Sequence, residues 1–224
     1  MDTFYAYLGG SLWLTWAIYW AIAAADVKHS RQREPVSSRA LHFVPMLLAA
    51  ALLLLPHFGH QNILFHRLFP ASRTASGVGC LLILSGLGFS VWARIHLGRN
   101  WSGRITVKDG HELIQTGPYA IVRHPIYTGL LLAIIGSAVA IGELRALLAV
   151  ALMWVSYQRK LGIEERWMAG AFGAQYKQYQ RRTCALIPYR IRRARSSEAR
   201  HDDIYRACDD PQTQGTRRRT RLCL

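Results

Sequence analysis

Residues 4–25 contain no charged side chain, and this run constrains the fold more than any other feature of the chain. The run is rich in Trp, Tyr, Leu and Ala, and as a helix it is long enough to cross about 30 Å of hydrocarbon. A cleavable signal peptide is not favoured, because the run is long and Asp2 stands where such peptides carry a positive charge. We therefore predict a transmembrane helix near the start of the chain.

Four more apolar runs follow, separated by polar segments. They are residues 40–56, 77–93, 128–141 and 146–157. The last two are short for independent spans, so we expect an antiparallel helical hairpin joined by residues 142–145. The third run, whose helix we expect to end at Gly98, also carries small residues, which let a neighbouring helix approach closely. These are Gly77, Gly79, Ser85, Gly86 and Gly88.

The charge distribution supports a membrane protein. Apolar residues make up 51% of the chain, yet its formal net charge is +15. Basic residues are concentrated in residues 26–39, 94–124 and 190–224, and basic loops face the anionic cytoplasmic leaflet. This pattern predicts about five transmembrane helices with the N-terminus outside. Nucleic-acid binding is the alternative for so basic a chain, but the basic residues lie outside the apolar runs, so we expect no nucleic acid partner.

Cysteines and histidines give no clear metal or disulfide pattern. Cys80, Cys184, Cys208 and Cys223 lack the spacing of either, and we expect packed or free thiols. Three histidines lie within ten positions, at 57, 60 and 66, without an acidic or cysteine companion nearby. An interfacial loop is favoured there over a metal site, and we predict no bound metal.

Residues 113–129 form a polar stretch that is interrupted by Pro118 and Pro125 just before an apolar run. Proline removes a backbone donor and biases the preceding residue away from helix, so the backbone here is irregular. Irregular backbone at the edge of a membrane segment usually lines a cavity. Arg123, His124 and Tyr127 place a cation, an imidazole and a phenol within this stretch.

A second polar patch, residues 159–182, follows the fifth apolar run. Lys160 and Glu164 are four residues apart and share a helix face. An aromatic stripe of Phe172, Tyr176 and Tyr179 predicts an amphipathic helix packed against the membrane surface. We interpret three further charges as interfacial side chains that pair with one another. They are Arg159, Glu165 and Arg166.

Ionisable residues at membrane depth are costly unless they are paired or used in function. Those interpreted as functional are Arg123, His124, Tyr127, Lys160 and Glu164. The set suits a polar cofactor that carries its own reactivity, for which the protein supplies orientation and a water-poor cavity. The glycine motifs of the usual nucleotide folds are absent, so these residues alone leave the cofactor unnamed.

Two halves of the chain carry a family resemblance that covers about residues 94–189. The first half has four motifs: L-G-R-N-W-S-G at 97–103, H-E-L-I at 111–114, G-P-Y at 117–119 and R-H-P-I-Y-T-G at 123–129. The second is E-E-R-W-M-A-G-A-F-G-A-Q-Y-K-Q-Y at 164–179, closed by I-P at 187–188. Together they resemble the membrane-embedded isoprenylcysteine carboxyl methyltransferase family, which is also similar to phospholipid N-methyltransferases.

The resemblance implies a pocket for S-adenosyl-L-methionine that faces the cytoplasm. The residues implied to bind the cofactor are His111, Glu112, Leu113, Ile114, Tyr119, His124, Pro125, Ile126, Tyr127 and Glu164. The first four would act largely through backbone, and Glu164 would accept from the adenosine or the amino group. Lys160 and Arg123 are the predicted catalytic residues. Lys160 stands where the family typically has an arginine that meets the substrate carboxylate, and lysine cannot form the bidentate fork of arginine.

The overall prediction is an all-α integral membrane methyltransferase with a cytoplasmic cofactor-binding loop and a C-terminal amphipathic helix. Its parts are transmembrane helices in 1–93, a catalytic region in 94–189 and a basic, disordered tail in 190–224. The expected partners are a lipophilic or small methyl acceptor and membrane lipid. If the acceptor is a carboxylate, Lys160 would orient it; if it is an amine or thiol, His124 or Tyr127 would accept its proton.

Two alternative functions stay open at this stage. The first is a membrane reductase of the sterol type that uses NADPH, a family with a similar C-terminal helical arrangement. The second is a transporter or non-catalytic binding protein in which the irregular loop gates a ligand.

Overall fold

The computed structural model describes residues 3–25, 36–54, 63–98 and 113–188. Within these ranges the chain forms five long helices and two short 3₁₀ turns. The helices are α1 (Thr3–Ala25), α2 (Val36–Leu54), α3 (Arg73–Leu97), α4 (Pro125–Ile141) and α5 (Leu144–Arg182), and the turns are Ile63–Phe65 and Gly117–Ala120. The predicted all-α class is confirmed.

Glycines set the distance between α3 and α4, which run antiparallel. A Cβ atom added to Gly79 would lie 2.6 Å from the carbonyl oxygen of Gly136, and one added to Gly136 would lie 2.7 Å from that of Gly79. Gly86 meets the backbone of Gly129 in the same way two turns along. Because only glycine lets the two backbones approach so closely, the small-residue prediction is confirmed for Gly79 and Gly86. It is wrong for Gly88, which has no such neighbour.

The predicted hairpin of α4 and α5 is confirmed, and its turn is shorter than expected. Gly142 ends α4 in the left-handed region, with φ of 68°, and α5 begins at Leu144. Residues 63–70 close over this turn, since Leu68 N donates to Gly142 O at 2.9 Å and Leu144 N to His66 O at 3.0 Å. The turn places the start of α4 and the middle of α5 at the other end of the hairpin.

The last helix differs from the prediction. We expected a separate amphipathic helix after the fifth apolar run, but α5 continues through that segment to Arg182. Residues 158–172 contain no proline and mostly good helix formers, so nothing ends the helix there. The helix instead bends sharply at Gly173, where φ is 52° and ψ is −121°.

Two tryptophans of α1 bind serines on the neighbouring helices. Trp13 Nε1 donates to Ser137 Oγ of α4 at 3.1 Å, and Trp16 Nε1 donates to Ser90 Oγ of α3 at 2.9 Å. Each serine in turn donates to a carbonyl of its own helix. These bonds satisfy indole N–H groups that would otherwise be unpaired in an apolar layer, and they fix the rotation of α1 about its axis.

Large apolar side chains point outward on the long helices. On α1, Phe4 is 65% exposed and Ile22 is 70% exposed, and Leu47 of α2, Leu81 of α3 and Val155 of α5 are likewise exposed. Exposed apolar surface of this extent is typical of contact with lipid. Within the described ranges only α3 has both the length and the apolarity of an independent span, while residues 43–54 and α4 are shorter. The count of five spans and the outside N-terminus therefore stay predictions.

Prediction for the helix contact: Gly86→Ala lowers the thermal midpoint of the protein in detergent, whereas Gly88→Ala on the same helix leaves it unchanged or slightly higher. A methyl group at position 86 meets backbone atoms of Gly129 and Ala133, and overpacking of this kind costs about 1–3 kcal/mol. At position 88 the methyl group meets nothing within 4 Å. Equal thermal midpoints for both variants would contradict the close contact.

Candidate functional site

The segment before α4 is bound to the segment after α5 through their backbones. Arg123 N donates to Cys184 O at 2.8 Å, and His124 N donates to Ala185 O at 3.1 Å. Thr128 adds a side-chain bond from Oγ1 to Leu186 O at 2.8 Å. Both donors precede Pro125, the first residue of α4, so their N–H groups have no partner within that helix and can bond to the segment after α5. The two polar stretches that are distant in sequence therefore meet at one end of the hairpin.

The bend at Gly173 turns the end of α5 back over this meeting point. Tyr176 and Tyr179 are 2% and 4% exposed, and Tyr179 Oη donates to Tyr119 O at 2.6 Å. The prediction that this aromatic stripe packs against the membrane surface is wrong for both tyrosines. They lie inside the protein, because the bend directs them onto the turn that contains Tyr119.

Arg123 and Glu165 form the central ion pair of the site. Nε and Nη2 of Arg123 donate to Glu165 Oε1 at 2.9 and 2.7 Å. Nη1 donates to the carbonyl oxygens of Gln180 and Thr183, and Gln180 Nε2 donates to Glu165 Oε2 at 3.0 Å. The side chains of Arg123 and Glu165 are 11% and 22% exposed, so the pair is shielded from water and its bonds are charge-assisted.

His124 lies between two carboxylates. Its Nδ1 is 3.5 Å from Glu164 Oε2, and its Nε2 is 3.3 Å from Glu165 Oε1. Burial alone would lower the pKa of His124, but hydrogen bonds to Glu164 and Glu165 outweigh it and raise that pKa. The protonated imidazole can therefore donate to both carboxylates at once.

Both carboxylates are held in the ionised form. Burial alone would raise the pKa of Glu165, but hydrogen bonds from His124 and Arg123 and their charges lower it to about 2. The pKa of Glu164 is also lowered, because burial is outweighed by the His124 hydrogen bond and the charge of Lys160. The site thus presents two fixed negative charges at neutral pH.

Tyr127 and Lys160 complete the cluster around Glu164. Tyr127 Oη donates to Glu164 Oε1 at 2.5 Å, and its ring lies 5.0 Å from that of Tyr157. Lys160 Nζ lies 5.3 Å from the centre of the Tyr127 ring, within the range of a cation–π contact. A carboxylate that is 23% exposed, a phenol and an ammonium are therefore adjacent.

This arrangement can bind groups of both signs. The partly exposed Glu164 carboxylate has lone pairs beyond those used by Tyr127 and His124, so it can accept from a hydroxyl or a cationic amino group. Lys160 has no hydrogen bond or ion pair among residues 113–188, and its ammonium can therefore meet an anion.

The structure brings together five of the predicted site residues: Arg123, His124, Tyr127, Lys160 and Glu164. Pro125 and Ile126 form the first turn of α4 beside them, and Tyr119 O accepts a hydrogen bond from Tyr179 of α5. Leu113 and Ile114 are half-buried in the stretch before the turn. His111 and Glu112 lie outside the described residues, as do His57 and His60.

Sequence reasoning misplaced Glu165. We interpreted it as a surface charge that pairs with Arg159 or Arg166, whereas it is the acceptor that holds Arg123 and His124. Gln180 and Thr183, which also bind Arg123, were not singled out. The doublet Glu164–Glu165 was the available signal, because neighbouring helical residues point in different directions and only one of the two could face Lys160.

Comparison with known proteins identifies methyltransferases among the similar chains. A family model described as phospholipid methyltransferase matches residues 74–175. Protein-S-isoprenylcysteine O-methyltransferase B of Arabidopsis thaliana is 28% identical over 117 residues, which are 51% of this chain and 59% of the relative. The protein-S-isoprenylcysteine O-methyltransferase of Saccharomyces cerevisiae is 26% identical over 122 residues, covering 53% of this chain and 51% of the relative.

One further relative and one solved structure are also similar to this chain. Cobalt-zinc-cadmium resistance protein CzcN of Cupriavidus metallidurans is 34% identical over 110 residues, which are 48% of this chain and 49% of that protein. The structure of the eukaryotic intramembrane Ras methyltransferase ICMT shares the fold. It aligns with a TM-score of 0.51 and 24% identity over 76% of this chain and 52% of that one. The chain thus spans about half the length of several of its relatives.

Prediction for the ion pair: Glu165→Gln lowers the thermal midpoint at pH 6, and its difference from wild type narrows as the pH falls below about 4.5. A carboxyl with a lowered pKa contributes stability above its unfolded pKa, near 4.5, which is lost as the pH falls towards 2. Arg166→Gln, at the exposed neighbouring position, is the control and has little effect. A difference between Glu165→Gln and wild type that does not change with pH would contradict the assignment.

Proposed function

We propose that this chain is an S-adenosylmethionine-dependent membrane methyltransferase and that it belongs to the isoprenylcysteine carboxyl methyltransferase family. The match to the family model, the similar relatives and the shared fold support this proposal. The observation that carries the proposal is the meeting of His124 and Tyr127 with Glu164 at one end of the α4–α5 hairpin. His124 and Tyr127 belong to the motif at 123–129, and Glu164 belongs to the motif at 164–179. The proposed acceptor is lipophilic, with the carboxylate of a prenylated cysteine at a protein C-terminus as the first candidate.

The residues present suit this cofactor. S-adenosylmethionine, when bound, supplies an electrophilic methyl group on a sulfonium, and it also carries a cationic amino group and ribose hydroxyls. Glu164, ionised and partly exposed, would accept from the amino group or the adenosine. His124, Pro125, Ile126 and Tyr127 would line the same pocket, and Tyr119 would flank it. Leu113 and Ile114, with His111 and Glu112, would contribute mainly backbone groups.

Lys160 would hold the acceptor. Its ammonium rests over the Tyr127 ring, one helical turn before Glu164, so an acceptor carboxylate bound to it would lie next to the pocket of the methyl donor. A carboxylate needs no general base, and alignment together with partial exclusion of water can supply most of the acceleration. Arg123, predicted as catalytic, uses Nε, Nη1 and Nη2 on Glu165 and two carbonyl groups, which favours a role in holding the loop.

The membrane arrangement of the site follows from its position on the hairpin. The apolar parts of α4 and α5 would lie in the bilayer, and the cluster at their polar end would face the cytoplasm, where the basic segments are concentrated. A lipid-anchored acceptor could then reach Lys160 along the apolar flank of the hairpin. We assign residues 94–189 as the catalytic region.

Prediction for the cofactor: the protein purified in detergent binds S-adenosylhomocysteine, measured by isothermal titration calorimetry, and S-adenosylmethionine competes for the same site. NADPH gives no heat and does not compete, because the proposed pocket is built for an adenosyl amino acid. Binding of NADPH alone would favour the reductase alternative. Absence of binding by all three compounds would favour a non-catalytic protein.

Prediction for the two neighbouring charges: Glu164→Ala abolishes binding of S-adenosylhomocysteine, whereas Lys160→Ala retains it and lowers the rate of methyl transfer. The substitutions separate the two roles because one residue faces the cofactor and the other the acceptor. Lys160→Ala keeps the hydrogen bond to His124, which lowers the pKa of Glu164 more than the charge of Lys160 does. Transfer of a labelled methyl group to N-acetyl-S-farnesylcysteine and to a total lipid extract measures the second effect. Arg159→Ala, at an exposed position beside Lys160, is the control and stays near wild type. Near-wild-type behaviour of both site variants would contradict these roles.

A further inference from the structure

The side chain of His96, near the end of α3, lies against the 3₁₀ turn Gly117–Ala120. Its Nε2 is 2.9 Å from Thr116 Oγ1, within hydrogen-bonding distance. Its ring is nearly parallel to that of Tyr119, with centres 6.4 Å apart and planes inclined by 24°. One side chain of α3 therefore contacts Tyr119 of this turn and Thr116, the residue directly before it, about twenty positions later in the chain.

Gly117 has a conformation and a shape that fit this contact. Its φ is +59°, a region that side chains other than glycine rarely adopt. A Cβ atom at this position would lie 2.7 Å from Cε1 of His96 and 2.9 Å from each ring nitrogen. The imidazole thus occupies the space that any side chain at position 117 would need. The turn and the His96 ring therefore have complementary shapes at Gly117.

The same turn is also bound by α5. Tyr179 Oη donates to Tyr119 O, and Tyr119 is only 8% exposed. His96 and Tyr179 therefore fix the turn between α3 and the bent end of α5. Tyr119 and, just before the turn, Leu113 and Ile114 are residues to which the proposed function assigns contact with the cofactor. The position of these residues depends on the position of the turn.

We propose that His96 is a positioning residue for binding of the methyl donor, an inference that rests on the proposed function. It acts through Thr116, Gly117 and Tyr119, and it does not touch the reacting atoms. Its contribution is preorganisation: with the turn already fixed, less conformational entropy is lost when the cofactor binds. Loss of the contact should therefore weaken cofactor binding and leave the steps after binding unchanged.

The test uses the full chain in detergent and four variants. His96→Ala removes the contact, Thr116→Val removes only the hydroxyl from an exposed residue, and His96→Gln keeps a group that can bond to Thr116. His66→Ala, an exposed histidine at the opposite end of the hairpin, is the matched control. The dissociation constant of S-adenosylhomocysteine is measured by calorimetry. KM for S-adenosylmethionine, KM for N-acetyl-S-farnesylcysteine and kcat are measured by methyl transfer.

We expect His96→Ala and Thr116→Val to raise the dissociation constant and the KM for S-adenosylmethionine by about tenfold, with kcat and the KM for the acceptor unchanged. His96→Gln should recover most of the affinity, and His66→Ala should match wild type. If wild type binds the cofactor and Thr116→Val and His96→Ala bind it equally well, the inference is wrong. A fall in kcat at constant KM would also overturn it. Failure of wild type itself to bind would instead overturn the proposed function.

Discussion

The permanent charge of Arg123 determines how the two halves of the site meet. A guanidinium that is 11% exposed needs several acceptors, and here they all belong to α5 or the segment directly after it. The loop can dock only where Glu165 and the carbonyl groups of Gln180 and Thr183 are within reach. Once Arg123 is in place, His124 lies between Glu164 and Glu165, and Tyr127 reaches Glu164. Removal of one partner of such a shielded pair would leave a charge without compensation, so the loop depends on both Arg123 and Glu165.

The glycine contacts between α3 and α4 connect the position of the site to the rest of the fold. Gly79 and Gly86 allow the two helices to touch along their length, so the end of α3 and the start of α4 are fixed relative to each other. His96 lies near that end of α3, and His124 directly precedes that start of α4. The close packing that these glycines allow therefore sets the distance between His96 and His124. The tryptophan–serine hydrogen bonds of α1 also hold α3 and α4 in place.

Much of this arrangement could be predicted from the sequence because it follows from local rules. Apolar runs of limited length predict the α4–α5 hairpin, small residues predict close helices, and costly charges beside apolar runs predict a site. The bend at Gly173 could not be predicted, because a glycine inside a helical pattern is usually tolerated. The partner of Arg123 could not be predicted either, since Glu164 and Glu165 are chemically identical and only the rotation of α5 decides which one faces it. That rotation depends on how α4 and α5 pack together, so the sequence of α5 alone does not determine it.

The charges within the site also explain how it would receive the amino group of the proposed cofactor without rearrangement. An isolated carboxyl beside apolar helices would be protonated, because burial disfavours its charged form. Arg123 and His124 keep Glu165 ionised, and His124 and Lys160 do the same for Glu164, so the cost of holding these charges is met during folding. A ligand with an amino group then meets a carboxylate that is already charged, oriented by Tyr127 and partly exposed. Preorganised charge of this kind stabilises a bound cation more than the same groups would in water, where solvent would first have to reorient.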